Sequence, residues 1–308
     1  MNALRTSLVD YIQLRRSLGY KFQRQARQLE AFVSFMERRG VTRISVPIAV
    51  EWAMTAGGTA GKGIALTAAR GFARHLCSID SGTQVPPAGL IRYNMRTKPY
   101  FYSDDEIQRL MVAAQQLPGR GSKLRARSMY CFVGLIATTG LRSGEARRLQ
   151  CDDVDLKCGM LTIRGTKFGK SRLVPLHAST RKILSDYATQ RDASLPHRKT
   201  RHFFVGSRGR QIYTQHIHAT FAALLRTAGI QASGNARQPR LHDLRHRFAV
   251  QTLTRWYRAG EDVERRIPEL STYLGHTVIR DTYWYLSATP DLMAEAAKRL
   301  DQRETVSS

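Results

Sequence analysis

Apolar side chains recur every three or four positions through most of this chain, the spacing of helices that bury one face. Over the first eighty residues that period predicts four helices: Leu4 to Leu18, Gln23 to Arg39, Pro47 to Thr55, and about Gly63 to Cys77. Gly19-Tyr20 and Arg39-Gly40 punctuate the first two, with Gly40 placed as a C-cap. Pro47 suits a first turn, where its missing N–H goes unneeded. From Ser81 to Lys98 the period breaks at Gly82, Pro86, Pro87 and Gly89, with Pro99 just beyond, which marks a linker.

Regular structure restarts at Ser103, an N-cap followed by Asp104, Asp105 and Glu106, whose charges suit the positive end of a helix. That helix runs to about Gln116, and a more apolar one follows from Arg125 to Thr138. Thr139-Gly140 hands over to another helix start at Leu141-Arg142-Ser143-Gly144-Glu145. Met160–Arg164 alternates in the manner of a strand, and Arg172–Leu176 is its expected partner across a turn tip at Gly165–Ser171. Helices are then expected at Ser179–Arg191, Gln215–Ala228, His242–Arg258, Asp262–Tyr273 and Asp291–Arg303, with a short strand at His202–Val205. The fold class expected is mainly α with a small β-sheet. Its division is a helical domain over 1–80, a linker over 81–98 and a second domain over 99–308.

Charge narrows the function. The chain has 308 residues and a formal net charge of +25, far beyond what solubility needs, and this points to a polyanionic partner. Residues 1–98 hold 15 Lys/Arg against 5 Asp/Glu, and the remainder 34 against 19, so both domains are basic. Arg70, Arg74, Arg92, Arg96 and Lys98 are therefore candidate contacts to a nucleic-acid backbone, with a solvated helix face as the plainer account of such charges. A ribosomal or chromatin protein would meet the same charge criterion, but such chains often concentrate it in tails. Cys77, Cys131, Cys151 and Cys158 form no CxxC pair and have no His at ligand spacing, so no structural zinc is expected. Scattered cysteines without a secretory signal suit a reducing cytoplasm. No apolar run approaches the ~20 residues of a membrane span.

Candidate chemistry gathers in the second domain. His242 and Arg245, three apart on a helix, share a face and can each grip a phosphate oxygen. Arg142 sits at a helix N-terminus, where backbone N–H groups already favour anions, and Glu145 one turn on can steady its guanidinium. His276 lies nine residues before Tyr285, and two lysines, Lys167 and Lys170, occupy the hairpin tip beside Arg172.

Four blocks in this order, TGLRSGEA, GTKFGKSRLVPL, LHDLRHRFA and YLGHTVIRDTYWYL, resemble the tyrosine recombinase (phage integrase) family. The wording of the last block looks most like members carried by transposons and other mobile elements. The resemblance implies a tyrosine recombinase catalytic domain behind a four-helix, SAM-like core-binding domain, closing as a C-shaped clamp on DNA. It implies that Tyr285 attacks the scissile phosphodiester to form a 3′-phosphotyrosyl bond, conserving the energy of the broken linkage. Arg142, Arg245 and His276 would stabilise the phosphate, His242 would act as proton acceptor or oxygen ligand, and Lys167 would protonate the departing 5′-oxygen. Tyr283 and Tyr273 are rival nucleophiles, and Lys170 rivals Lys167; Lys170 and Arg172 also join the DNA-binding candidates. Neither metal nor ATP is implied. The partners implied are double-stranded DNA with paired half-sites, further copies of the chain in a tetrameric synapse, and sibling recombinases. The helix at about 290–303 would exchange between protomers.

Three other functions compete. A type IB topoisomerase-like enzyme uses a similar residue set but relaxes supercoils as a monomer. A non-catalytic DNA-binding protein on the same fold would not be expected to keep every catalytic position filled, as this chain does. A metal-dependent nuclease needs clustered carboxylates, and the nearest group, Asp152, Asp153 and Asp155, reads as a turn entering a strand.

Overall fold

Four helices form the first unit of the chain, Met1–Thr97, in a computed structural model that describes residues 3–92, 98–119, 124–165, 171–198, 200–234, 237–287, 292–295 and 297. They are α1 (Ala3–Ser17), α2 (Gln23–Arg38), α3 (Val46–Met54) and α4 (Gly58–Leu76). Each turns an apolar stripe inward: Leu8 and Ile12 from α1, Leu29, Phe32 and Met36 from α2, Trp52 from α3, Leu66 and Phe72 from α4. Gly40 does end the second helix, with φ +66, while the Val41 N–H reaches back to the Met36 carbonyl at 3.0 Å. The fourth helix starts a turn earlier than its glycines suggested. That added turn, Gly58–Ala60, is exposed, while Gly63 behind it is buried and the helix as a whole packs against α3.

The second unit, Lys98–Ser308, is helical around a small sheet. Helix α5 (Asp104–Gln115) opens on a full capping box between Ser103 and Glu106. Helix α6 (Leu124–Thr139) is buried on nearly every side, since α5, α8 (Ala178–Ser194) and α10 (Asp243–Arg258) all lie against it. The short α7 (Ser143–Arg148) leads through a 3-10 turn at Cys151–Asp153 into β1 (Val154–Asp155), β2 (Met160–Ile163) and β3 (Arg172–Pro175). The sheet is antiparallel in the order β1-β2-β3, with Met160 opposite Pro175 and Ile163 opposite Arg172. Its first strand is only two residues long and falls where the sequence placed a turn entering a strand. Asp153 and Asp155 are occupied there by Arg164 and by the backbone N–H groups of Lys157 and Cys158.

The expected strand at His202–Val205 is reduced to two single bridges, His202 with Gln150 and Val205 with Gln211. Side chains take its carbonyls instead: Arg191 and the Tyr187 hydroxyl donate to Phe203, and the Ser128 hydroxyl donates to Val205. Helices α9 (Thr214–Thr227), α11 (Val263–Leu274) and α12 (Arg280–Tyr283) complete the unit, and a 3-10 turn at Trp284–Ser287 follows. Of the expected C-terminal helix, residues 292–295 and 297 are helical and Leu292 is buried in a cluster with Val250, Leu253, Ile267 and Tyr285. No helix among the described residues is long and apolar enough to cross a membrane.

Candidate active site

Helix α11 ends at Leu274, and Gly275 caps it in the left-handed conformation with φ +68. A helix C-terminus leaves its last carbonyls without intrahelical donors and carries partial negative charge. Three arginines from distant parts of the unit take these carbonyls. Arg172 Nε donates to Tyr273 at 2.7 Å, Arg245 Nη2 to Leu274 at 2.8 Å, and Arg142 Nη2 to Gly275 at 2.8 Å. A helix end thus gathers the guanidiniums that β3, α10 and the start of α7 supply.

Glu145 supports the group from the other side. Arg142 Nη1 donates to its Oε1 at 2.8 Å, and Arg172 donates to both carboxylate oxygens, at 3.2 and 2.8 Å. The Arg142 backbone N–H also reaches Oε2, the half of a capping box that an N3 glutamate supplies. Burial works against the ionised carboxylate, but Arg172 and then Arg142 outweigh it and hold the group at about 2. Arg245, 1% exposed, contacts no carboxylate among the described residues: Nη1 donates to Gly140 O at 2.8 Å, Nη2 meets Leu274 O and His276 Nε2, and the guanidinium also bonds the Tyr285 hydroxyl. Burial, then the neighbouring charge of Arg142, lowers its pKa to about 10. It remains a cation at neutral pH without an anionic contact among the described residues.

His276 Nε2 lies 2.9 Å from Arg245 Nη2, and its Nδ1 lies 2.7 Å from the hydroxyl of Thr282. Burial and then the charge of Arg245 push the imidazole down to about 4, so it is neutral at ordinary pH. Tyr285, in the 3-10 turn and 2% exposed, stacks on the His276 ring with centroids 6.0 Å apart. Its hydroxyl is in hydrogen-bonding contact with Arg245; burial raises the phenol pKa, and Arg245 and Arg142 oppose that rise. Tyr283 is 44% exposed, and the Tyr273 ring stacks on Phe248. His242 precedes α10, edge-on to His246 at 4.8 Å, and desolvation of its ring, then the charge of Arg245, holds its imidazole below its ordinary range.

Of the sequence-derived candidates, Arg142, Arg245, His276 and Tyr285 converge on this centre, with Glu145 behind it and His242 beside it. Lys167, Lys170 and Arg96 lie outside the described residues. Arg172 is not a surface contact: its side chain is 9% exposed and its donors are turned onto Glu145 and Tyr273 O. Arg70 is likewise engaged, donating to the carbonyls of Pro86 and Pro87 at 2.7 and 2.8 Å. Arg74, Arg92 and Lys98 are exposed. Sequence reasoning missed Thr282, which has no motif of its own, and His246, whose ring lies against Trp284 and Tyr285 at 5.2 and 5.5 Å. It also missed the carbonyl end of α11, although the glycine in TYLGH is the mark of a helix C-cap. No group of His, Cys, Asp and Glu among the described residues could hold a metal ion. What the centre can do is hold an anion, with a phenol at its edge.

Residues 101–291 match the phage integrase family. The chain is 43% identical to the "Putative integrase/recombinase y4rB" of Sinorhizobium fredii (strain NBRC 101917 / NGR234), over 98% of each chain. It is 28% identical to "Tyrosine recombinase XerA" of Pyrococcus furiosus, over 68% of this chain and 65% of that one. Among solved structures, its fold is similar to that of the Tn1549 transposon integrase in complex with transposon right end DNA. There the TM-score is 0.68 at 16% identity, covering 96% of this chain and 99% of that chain.

Proposed function

We propose, for a chain that belongs to the phage integrase family of tyrosine-type recombinases, that it is a site-specific recombinase breaking and rejoining DNA strands through Tyr285. The observation that carries this is the meeting of Arg142, Arg245, His276 and Tyr285, residues far apart in sequence, around the end of α11.

In the proposed step the Tyr285 oxygen attacks the scissile phosphorus and loses its proton to an acceptor, His242 being the candidate. The bond from phosphorus to the 5′-oxygen breaks, and Lys167 gives that oxygen a proton. The resulting 3′-phosphotyrosyl bond keeps the energy of the broken linkage, and attack by a 5′-hydroxyl restores the backbone and frees the phenol. Arg142, Arg245 and His276 stabilise the charge that builds on the non-bridging oxygens. Because Arg245 has no carboxylate contact among the described residues, its charge is available to an incoming phosphate. The basic N-terminal unit and its exposed Arg74 and Arg92, together with Lys98 at the start of the second unit, suit contact with double-stranded DNA carrying paired half-sites. The likeness to a transposon integrase bound to transposon-end DNA supports a mobile-element role in transposition, integration or excision. Tetramer assembly through the C-terminal helix belongs to the same proposal.

The test is covalent capture. Incubated with nicked duplexes of randomised core sequence and then denatured, the protein should retain DNA. Tyr285→Phe should retain none while still binding duplex under native conditions, and Tyr283→Phe should behave as wild type. Capture by Tyr285→Phe and not by Tyr283→Phe would exchange the two roles.

A further inference from the structure

A guanidinium donates hydrogen bonds and cannot accept them. The 2.9 Å contact from Arg245 Nη2 therefore requires His276 Nε2 to be without a proton. In the neutral ring the proton is on Nδ1, which donates to the Thr282 oxygen at 2.7 Å. Thr282 is fully buried, on a helix of four residues directly before the turn that carries Tyr285. Unlike a carbonyl, its hydroxyl can accept or donate, and it rotates between the two.

A bare Nε2 presents a lone pair to an anion. For His276 to stabilise a phosphate oxygen while neutral, its proton must be on Nε2. The charges around the ring are Arg245 on α10, Arg142 before α7 and Arg172 on β3, with Asp281 on α12 opposing them; the rings of His246 and Tyr285 are neutral neighbours. Burial, and the charge of Arg245, which unlike Arg142 and Arg172 is not paired with Glu145, disfavour a doubly protonated ring, so exchanging tautomers is the lower-cost route to a donor.

On the recombinase reading above, we propose that Thr282 is a positioning residue that lets a neutral His276 switch from accepting a hydrogen bond from Arg245 to donating one to a DNA phosphate. When a phosphate oxygen takes the Arg245 Nη2 donor, Nε2 loses its partner. One proton leaves Nδ1 and one arrives at Nε2, carried by solvent, and the ring stays neutral. The Thr282 hydroxyl turns and donates to Nδ1, so neither state leaves a buried ring nitrogen unpaired.

Side-chain nitrogen spectra of 15N-histidine-labelled protein test this directly, with the His276 signals identified by their loss in His276→Gln. The free protein should show Nδ1 protonated and Nε2 bare. Bound to duplex recovered from the covalent-capture library, in a Tyr285→Phe background so that DNA stays uncut, the two should exchange. An unexchanged or doubly protonated ring in that complex overturns the proposal.

Thr282→Val, which keeps the shape and removes the hydroxyl, should slow single-turnover adduct formation on the order of ten-fold at unchanged DNA affinity. That is a smaller loss than the roughly hundred-fold or more expected when a transition-state donor is removed outright. Thr282→Ser should keep the wild-type rate. If Thr282→Val matches wild type, Thr282 has no such role although the enzyme is a recombinase; if wild type forms no adduct, both proposals fail. Should Thr282→Val melt early, the nitrogen spectra of the natural protein decide alone.

Discussion

Arg172 meets Glu145 in a two-pronged contact, Nη2 to Oε2 at 2.8 Å and Nη1 to Oε1 at 3.2 Å, with both side chains less than a tenth exposed. Removing one partner of such a buried pair strands the other's charge, at a cost of about 3–5 kcal/mol. Arg172→Ala should lower stability to denaturant by roughly that amount, somewhat less because Arg142 still holds Glu145. Arg172→Lys should recover little, since an ammonium cannot make the fork. Urea unfolding that shifts for neither variant would show the clamp to be dispensable.

Two acid-side windows of stability follow from shifted groups in the second unit. Burial, then neighbouring positive groups, lowers His246 and His276 to about 3 and about 4 from 6.5. Unfolded histidines take up protons near pH 6.5 and these folded ones do not, so stability is full above that value. It falls as pH drops from 6.5 toward 4 for His276 and toward 3 for His246, by on the order of a few kcal/mol in sum. Glu145, held at about 2 against an ordinary 4.5, contributes in a lower window: its share is full above 4.5 and is lost as pH falls toward 2. His276→Gln should flatten the upper slope and Glu145→Gln the lower one in denaturant melts taken across pH. A melt series without the upper slope would mean that these histidines protonate in the folded state.

Gly275 combines a positive φ with crowding: a Cβ there would stand 2.6 Å from Arg172 Nη1. Gly275→Ala should cost about 1–3 kcal/mol from backbone strain and displace the arginine as well, slowing adduct formation. Gly260→Ala is the contrast, since it shares the positive φ (+71) but has nothing within 4 Å of the added carbon. It should lose stability and keep activity. Equal activity losses in the two would remove the special role of Gly275.

A buried cation without a carboxylate should welcome an oxyanion. Sulfate at matched ionic strength should raise the melting temperature above its value in chloride, by the equivalent of about 2.7 kcal/mol at a hundred times its Kd. Arg245→Gln should abolish the difference. An equal sulfate effect in that variant would place the anion elsewhere.

Local chemistry made much of this protein legible. Helix periods, the Ser103 N-cap with its acidic first turn and the Gly40 cap depend on neighbours a few residues away, and the structure repeats them. The first turn of α4 and the fate of His202–Val205 were not legible. The first is an exposed turn at a glycine-rich helix end, and side-chain donors from Arg191, Tyr187 and Ser128 decided the second.

By itself the sequence determined the inventory: a basic, mainly helical chain carrying Arg142, Arg245, His276 and Tyr285 at telling intervals. Tertiary structure alone decided what each would touch. Arg172 looked like one more surface cation, and Thr282 like nothing in particular. One became the buried partner of Glu145 and the other the hydroxyl against His276. The reason is that a hydrogen bond reaches about 3 Å in space whatever the separation in sequence. Folding alone brings the carbonyl end of α11 within that reach of three arginines.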